Sequence, residues 1–198
     1  VAAAPPTPPA QAPRPARRPS SRSQFETLLA AKWVLPAVLV LAALFRIAHV
    51  MALAATPFFN NLALDGLVYD EWAQRIAAGD WMGSRIFYQD PLYPYLLGAL
   101  YALFGRSLML VYLLQVAFGV GTCWLTALLG RRIFGVAAGN LAGLMGALFA
   151  PSIFYEVQVD KTFLSLFLVT AFLVLVAIPA RPATGLAVVR VAERTRPR

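Results

Sequence analysis

The chain has 198 residues, 60% of them hydrophobic and 13% charged, and its mean hydropathy is +0.67. A soluble domain carries about a quarter charged residues, so this composition excludes an ordinary soluble globule and points to an all-α membrane protein. One cysteine (Cys123) and one histidine (His49) exclude an internal disulfide, a zinc finger and paired-thiol chemistry. The net charge of +8 is split into separate clusters rather than gathered on one face, so nucleic acid is not an expected partner.

Residues 1–32 open with a stretch rich in Pro, Ala, Arg and Ser that lacks apolar periodicity, and they read as a disordered cytoplasmic tail. The apolar run that follows is too long for a signal peptide and has no clear cleavage site. Four segments are candidate spans: 33–56, 107–130, 135–155 and 162–179. Segment 92–105 is apolar as well, but its fourteen residues rise only about 21 Å as a helix. Residues 180–198 form a second basic tail.

Charge decides whether 92–105 crosses. If it does not, the basic clusters (Arg14, Arg17, Arg18, Arg22 and Lys32; Arg131 and Arg132; Arg181 onward) all fall in the cytoplasm, as basic flanks of spans usually do. Seven of the nine acids (Asp65, Asp70, Glu71, Asp80, Asp90, Glu156 and Asp160) then share the outer face. The expected layout is therefore four spans, with an outer loop at 57–106 that carries helices at 66–78 and 92–105. Tyr93, Tyr95 and Tyr101 suit the headgroup zone. In the first loop helix, Val68, Tyr69, Trp72, Ala73 and Ile76 form an apolar stripe. That phase turns Asp70 and Glu71 toward water and Asp65 toward protein or membrane.

Several residues could carry chemistry. Asp65 is either the N-cap of the helix after it or a general base beside apolar surface, and the two are compatible. Asp70 and Glu71 read as a solvated helix face. Asp160 and Lys161 read as a span boundary or as a metal or phosphate ligand set, which Glu156 could join. Arg46, inside the first span, is either a functional intramembrane charge or an arginine reaching outward. Arg85 could bind an anion or be solvated, and His49 reads as packed or interfacial. These features fit an enzyme and an assembly factor equally.

The runs DGLVY (65–69), AAGDW (77–81), FYQDPLYPYLLG (87–98), LFG (103–105) and LLGRRIFG (128–135), followed by Asp160, resemble the N-terminal portion of GT-C membrane glycosyltransferases. The similarity is greatest to the family 39 type, related to protein O-mannosyltransferases and lipid A aminoarabinose transferases, and it covers roughly residues 33–179. It implies a GT-C-like module in the bacterial inner (plasma) membrane, with its site outside. Such a hexosyl- or pentosyltransferase moves a sugar from a polyprenyl-phosphate donor, held among membrane lipid, to an extracytoplasmic acceptor with inversion. Within that resemblance Asp65 is the catalytic residue, Tyr69, Arg85 and Lys161 meet the donor phosphate, and Asp160 is the candidate ligand of a divalent metal ion. Three positions depart from the family pattern: Gly66 replaces a Glu, and Gln89-Asp90 replaces Glu-Lys. The alternatives are a non-catalytic protein that binds lipid-linked glycan or assists envelope assembly, and a small carrier with Arg46 as its polar site.

Overall fold

The computed structural model describes residues 21–82 and 89–177. The described residues are helical throughout, with no strand among them. In chain order the helices are α1 (Ser21–Leu29), α2 (Val34–Ala54), α3 (Asp65–Ala77), α4 (Leu92–Phe104), α5 (Leu108–Phe134), α6 (Val136–Ala147), α7 (Ala150–Tyr155) and α8 (Thr162–Ala177), with a 3-10 turn at Pro57–Phe59. Helices α2 and α5, of 21 and 27 residues, are long and apolar enough to cross a bilayer. Helices α4, α6 and α8 are apolar but shorter.

The segment expected as one span at 135–155 is instead two helices. The chain leaves α6 at Leu148, passes through an extended Phe149 and restarts with Pro151 in the first turn of α7. A proline has no N–H to continue the ladder and fits the first turn of a new helix. The tail also differs from its expected disorder, because α1 lies within it. A nine-residue helix is marginal alone, but Asn140 of α6 donates through Nδ2 to the Leu29 carbonyl at its end.

Helix α5 is the central post. Gly130 and Gly139 bring it close to α6: a Cβ at Gly139 would lie 2.3 Å from the Arg131 backbone nitrogen. Helices α3 and α4 pack as a pair over the Ser107 end of α5. There Gly98 admits Ile76, whose Cγ2 would be 2.6 Å from a Cβ at that position. The largest core cluster lies beneath this pair and includes Tyr69, Ala73, Tyr93, Leu97, Tyr101, Val111, Val159 and Phe163. Tyr93 and Tyr101 are therefore core residues rather than headgroup anchors, whereas Tyr95 is half-buried. Apolar side chains left exposed on α2 and α8, such as Leu44, Phe45, Met51, Val169 and Phe172, suit contact with lipid.

The buried face of α3 is rotated from the expected stripe. Gly66, Tyr69, Asp70, Ala73 and Ile76 are buried, Trp72 is half-buried and Val68 is exposed. The rotation carries Asp70 inward, to 2% exposure, which corrects its reading as solvated; Glu71 is exposed. Burying a carboxylate is tolerable only when it is paired and hydrogen-bonded. Asp70 accepts from Tyr101 Oη at 2.6 Å, from Arg106 Nη2 at 2.9 Å and from Gln74 Nε2 at 2.8 Å.

Candidate functional site

The connection between α2 and α3 and the one between α7 and α8 meet at one cavity of about 540 Å3. That volume is in the range of small-molecule sites. Leu53, Phe58, Leu62, Phe154 and Val157 give it apolar walls, while Asp65 and Asp160 come to it from opposite connections. His49 and Tyr112 also line it. Gly66 explains why the two connections can close on each other. A Cβ at that position would stand 3.2 Å from the Val159 carbonyl oxygen, tighter than an ordinary contact.

Asp65 is the first residue of α3 and not its N-cap, which corrects the capping expectation. The cap position is Leu64, whose φ of 53° and ψ of −130° lie where L residues are rarely found. Strain of this kind tends to be retained at functional sites. Its effect here is to bring Asp65 into the first turn, at the end of the helix that favours anions. The side chain is exposed to the cavity, and its Oδ1 accepts from Gln89 Nε2 at 3.0 Å.

Asp160 caps the start of α8. Its Oδ1 accepts from the Thr162 backbone N–H at 2.6 Å and from the Thr162 hydroxyl. Lys161 pairs with Asp90, the residue before Pro91 at the start of α4, and that hydrogen bond raises the lysine pKa. Tyr69 is buried and packs edge-on against Tyr93 at 5.1 Å. Burial raises its pKa, Lys161 opposes that shift, and Asp160, Asp65 and Asp90 add to it. Tyr69 thus lies within electrostatic reach of the other described candidates. Arg85 lies outside the described residues.

Glu156 does not join Asp160. It is 2% exposed, and its Oε2 accepts from Arg46 Nε at 2.6 Å. Arg46 Nη1 also donates to the carbonyls of Ala42 and Ala147, both at 3.3 Å, and Nη2 donates to that of Gly146 at 3.5 Å. Arg46 therefore neither reaches outward nor stands as the open polar site of a carrier. It binds the last carbonyls of α6, where a helix end lacks partners and favours a cation. Gln115 of α5 continues the network: Nε2 donates to the carbonyls of Glu156 and Gln158, and Oε1 accepts from Tyr93 Oη at 3.1 Å. This buried polar chain fixes residues 156–158, and hence where Asp160 stands.

Among the described residues no three His, Cys, Asp or Glu side chains converge to hold a metal ion. With Asp160 Oδ1 engaged by Thr162, the described donors do not form a metal centre.

Residues 89–192, more than half of the chain, match the dolichyl-phosphate-mannose-protein mannosyltransferase family. The chain belongs to that family. No curated protein and no solved structure matches it. The mannosyltransferase match takes in Asp90, Arg106, Glu156, Asp160 and Lys161, while Asp65 lies N-terminal to it. What joins Asp65 to the mannosyltransferase region is the fold, through the cavity shared with Asp160 and the hydrogen bond from Gln89.

Sequence reasoning missed Arg106 and Gln115, and it marked Gln89 only as a departure from the family pattern. Arg106 carried a usable signal: it is a basic residue on the expected outer face, where positive charge is disfavoured, and so it calls for an acidic partner. Gln115 is one polar residue in a long apolar helix, which is a weaker sign of the same kind.

Proposed function

We propose that this chain forms the donor-facing module of a membrane glycosyltransferase, which moves a sugar from a polyprenyl-phosphate lipid to an extracytoplasmic hydroxyl or amine. The observation that carries this reading is the placement of Asp65 and Asp160, from separate connections, on one apolar-walled cavity in a chain of the mannosyltransferase family. Four crossings by α2, α5, α6 with α7, and α8 agree with the charge pattern. The cavity lies toward the Tyr112 end of α5, and Arg131 and Arg132 lie in its last turn, about 30 Å away at 1.5 Å per residue. In this reading the basic end is cytoplasmic, as the positive-inside rule favours, and the site faces the outer side of the bacterial inner membrane.

In this reading Asp65 takes the proton from the acceptor O–H or N–H as that atom attacks the anomeric carbon. The new glycosidic bond forms on one face of the sugar. On the other face the bond to the phosphate oxygen breaks, and polyprenyl phosphate departs with both electrons, so the configuration inverts. Lys161, beside Asp160 and tethered to Asp90, is placed to meet the charge on the leaving phosphate. Tyr69 is buried against Tyr93 near these groups, and the lipid tail follows the exposed apolar faces of the helices.

The test is transfer from radiolabelled polyprenyl-phosphate mannose in membranes that hold the protein as its gene encodes it. Asp65→Asn should lower the rate about 100-fold or more, as removal of a general base does. An unchanged rate overturns the reading and leaves a non-catalytic protein that binds lipid-linked glycan.

A further inference from the structure

Gln89 precedes Asp90 and Pro91 on the approach to α4 and is half-buried. Its Nε2 donates to Asp65 Oδ1 at 3.0 Å, across 24 residues of chain. Chemistry forces the orientation of the carboxamide, because only its NH2 end can face a carboxylate; the carbonyl end would set two acceptors against each other. The other end, Oε1, is buried and finds no hydrogen-bond partner among the described residues. Buried side-chain oxygens are nearly always paired. The one described group that this side chain holds is Asp65.

We propose that Gln89 is a positioning residue for Asp65. Taken with the base role given to Asp65 above, the Gln89 amide occupies Oδ1 and leaves Oδ2 to receive the acceptor's proton. A glutamate at this position would replace that donor with a second carboxylate. Two carboxylates in contact cannot both ionise easily, and they share one proton between them. Among the described residues, the other titratable groups facing this corner are His49 of α2, Tyr69 of α3, Asp90 before α4, Tyr112 of α5, and Asp160 and Lys161 before α8. None of them changes in a Gln89 variant.

The experiment uses the full chain in detergent, treated across a pH series with dicyclohexylcarbodiimide, which modifies protonated carboxyl groups. Label on Asp65 is read by mass spectrometry. In Gln89→Glu the label should persist to a pH about one unit or more above the wild-type limit. In Gln89→Ala, which adds no charge, the limit should rise by less. Thermal melts of both variants establish that they fold, and either one alone is sufficient. Labelling curves that coincide with wild type overturn the proposal. Shifted curves together with a fully active Asp65→Asn variant would retain the Gln89–Asp65 pairing and remove only the base role.

Discussion

Arg46 and Glu156 are 110 residues apart in the chain and 2.6 Å apart in the fold, both buried, with the guanidinium also closing the end of α6 through the Ala147 carbonyl. Gly119 of α5 makes room for the carboxylate: a Cβ there would come within 2.2 Å of Glu156 Oε2. Removing one member of such a pair leaves the other charged, buried and unanswered.

Arg46→Leu or Glu156→Leu alone should therefore cost about 3–5 kcal/mol, and the double variant should regain much of that loss. Thermal unfolding of the four proteins of the cycle in detergent checks this. Additive losses would mean that the two residues act separately.

Asp70 makes a more local prediction. Its bonds to Tyr101 and Arg106 hold α3 against α4 and the approach to α5, and Gln74 braces it from within α3. Asp70→Asn should destabilise that pair of helices by about 1.5–3 kcal/mol, the scale of hydrogen bonds to a charged group. The neighbouring Glu71→Gln should stay within about 0.5 kcal/mol, as exposed substitutions do. Amide hydrogen exchange along α3 and α4 separates the two variants.

Alkaline pH tests the same region without mutation. Burial is the largest cause raising Tyr69, Tyr93 and Tyr101 above the usual 10.0, with the Asp70 hydrogen bond adding to the rise at Tyr101. Between the unfolded and folded values the folded protein holds protons that the unfolded chain has lost. Stability from these tyrosines is thus fully present at neutral pH and falls as pH rises past 10. The measurement is the unfolding midpoint of the α3–α4 region against pH. A midpoint that does not fall above pH 10 would refute it.

The long apolar runs marked α2 and α5 in the sequence, and the shorter apolar run at 92–105 marked α4. The break between α6 and α7 was harder to see, because hydropathy runs on through Phe149 and only Pro151 marks the stop. Asp70 was misplaced because helical phase counts an acid as polar. Nothing local to α3 shows that Arg106 and Tyr101 wait 36 and 31 residues away to receive it. Asp65 was identified by its resemblance, but its tie to Gln89 crosses 24 residues and depends on tertiary geometry. Arg46 was conspicuous as a charge inside an apolar run, and Glu156 was read only as a possible companion of Asp160; that the two answer each other depends on how α2 packs against α6 and α7.

The cavity between the two connections also sets an order of assembly. Asp65 leaves the ribosome 95 residues (160 − 65) before Asp160, and the walls contributed by 154–160 do not exist until α7 has been made. A nascent chain that has inserted only α2 and α5 carries the carboxylate of Asp65 without its pocket. The pocket closes only when Val159 settles against Gly66.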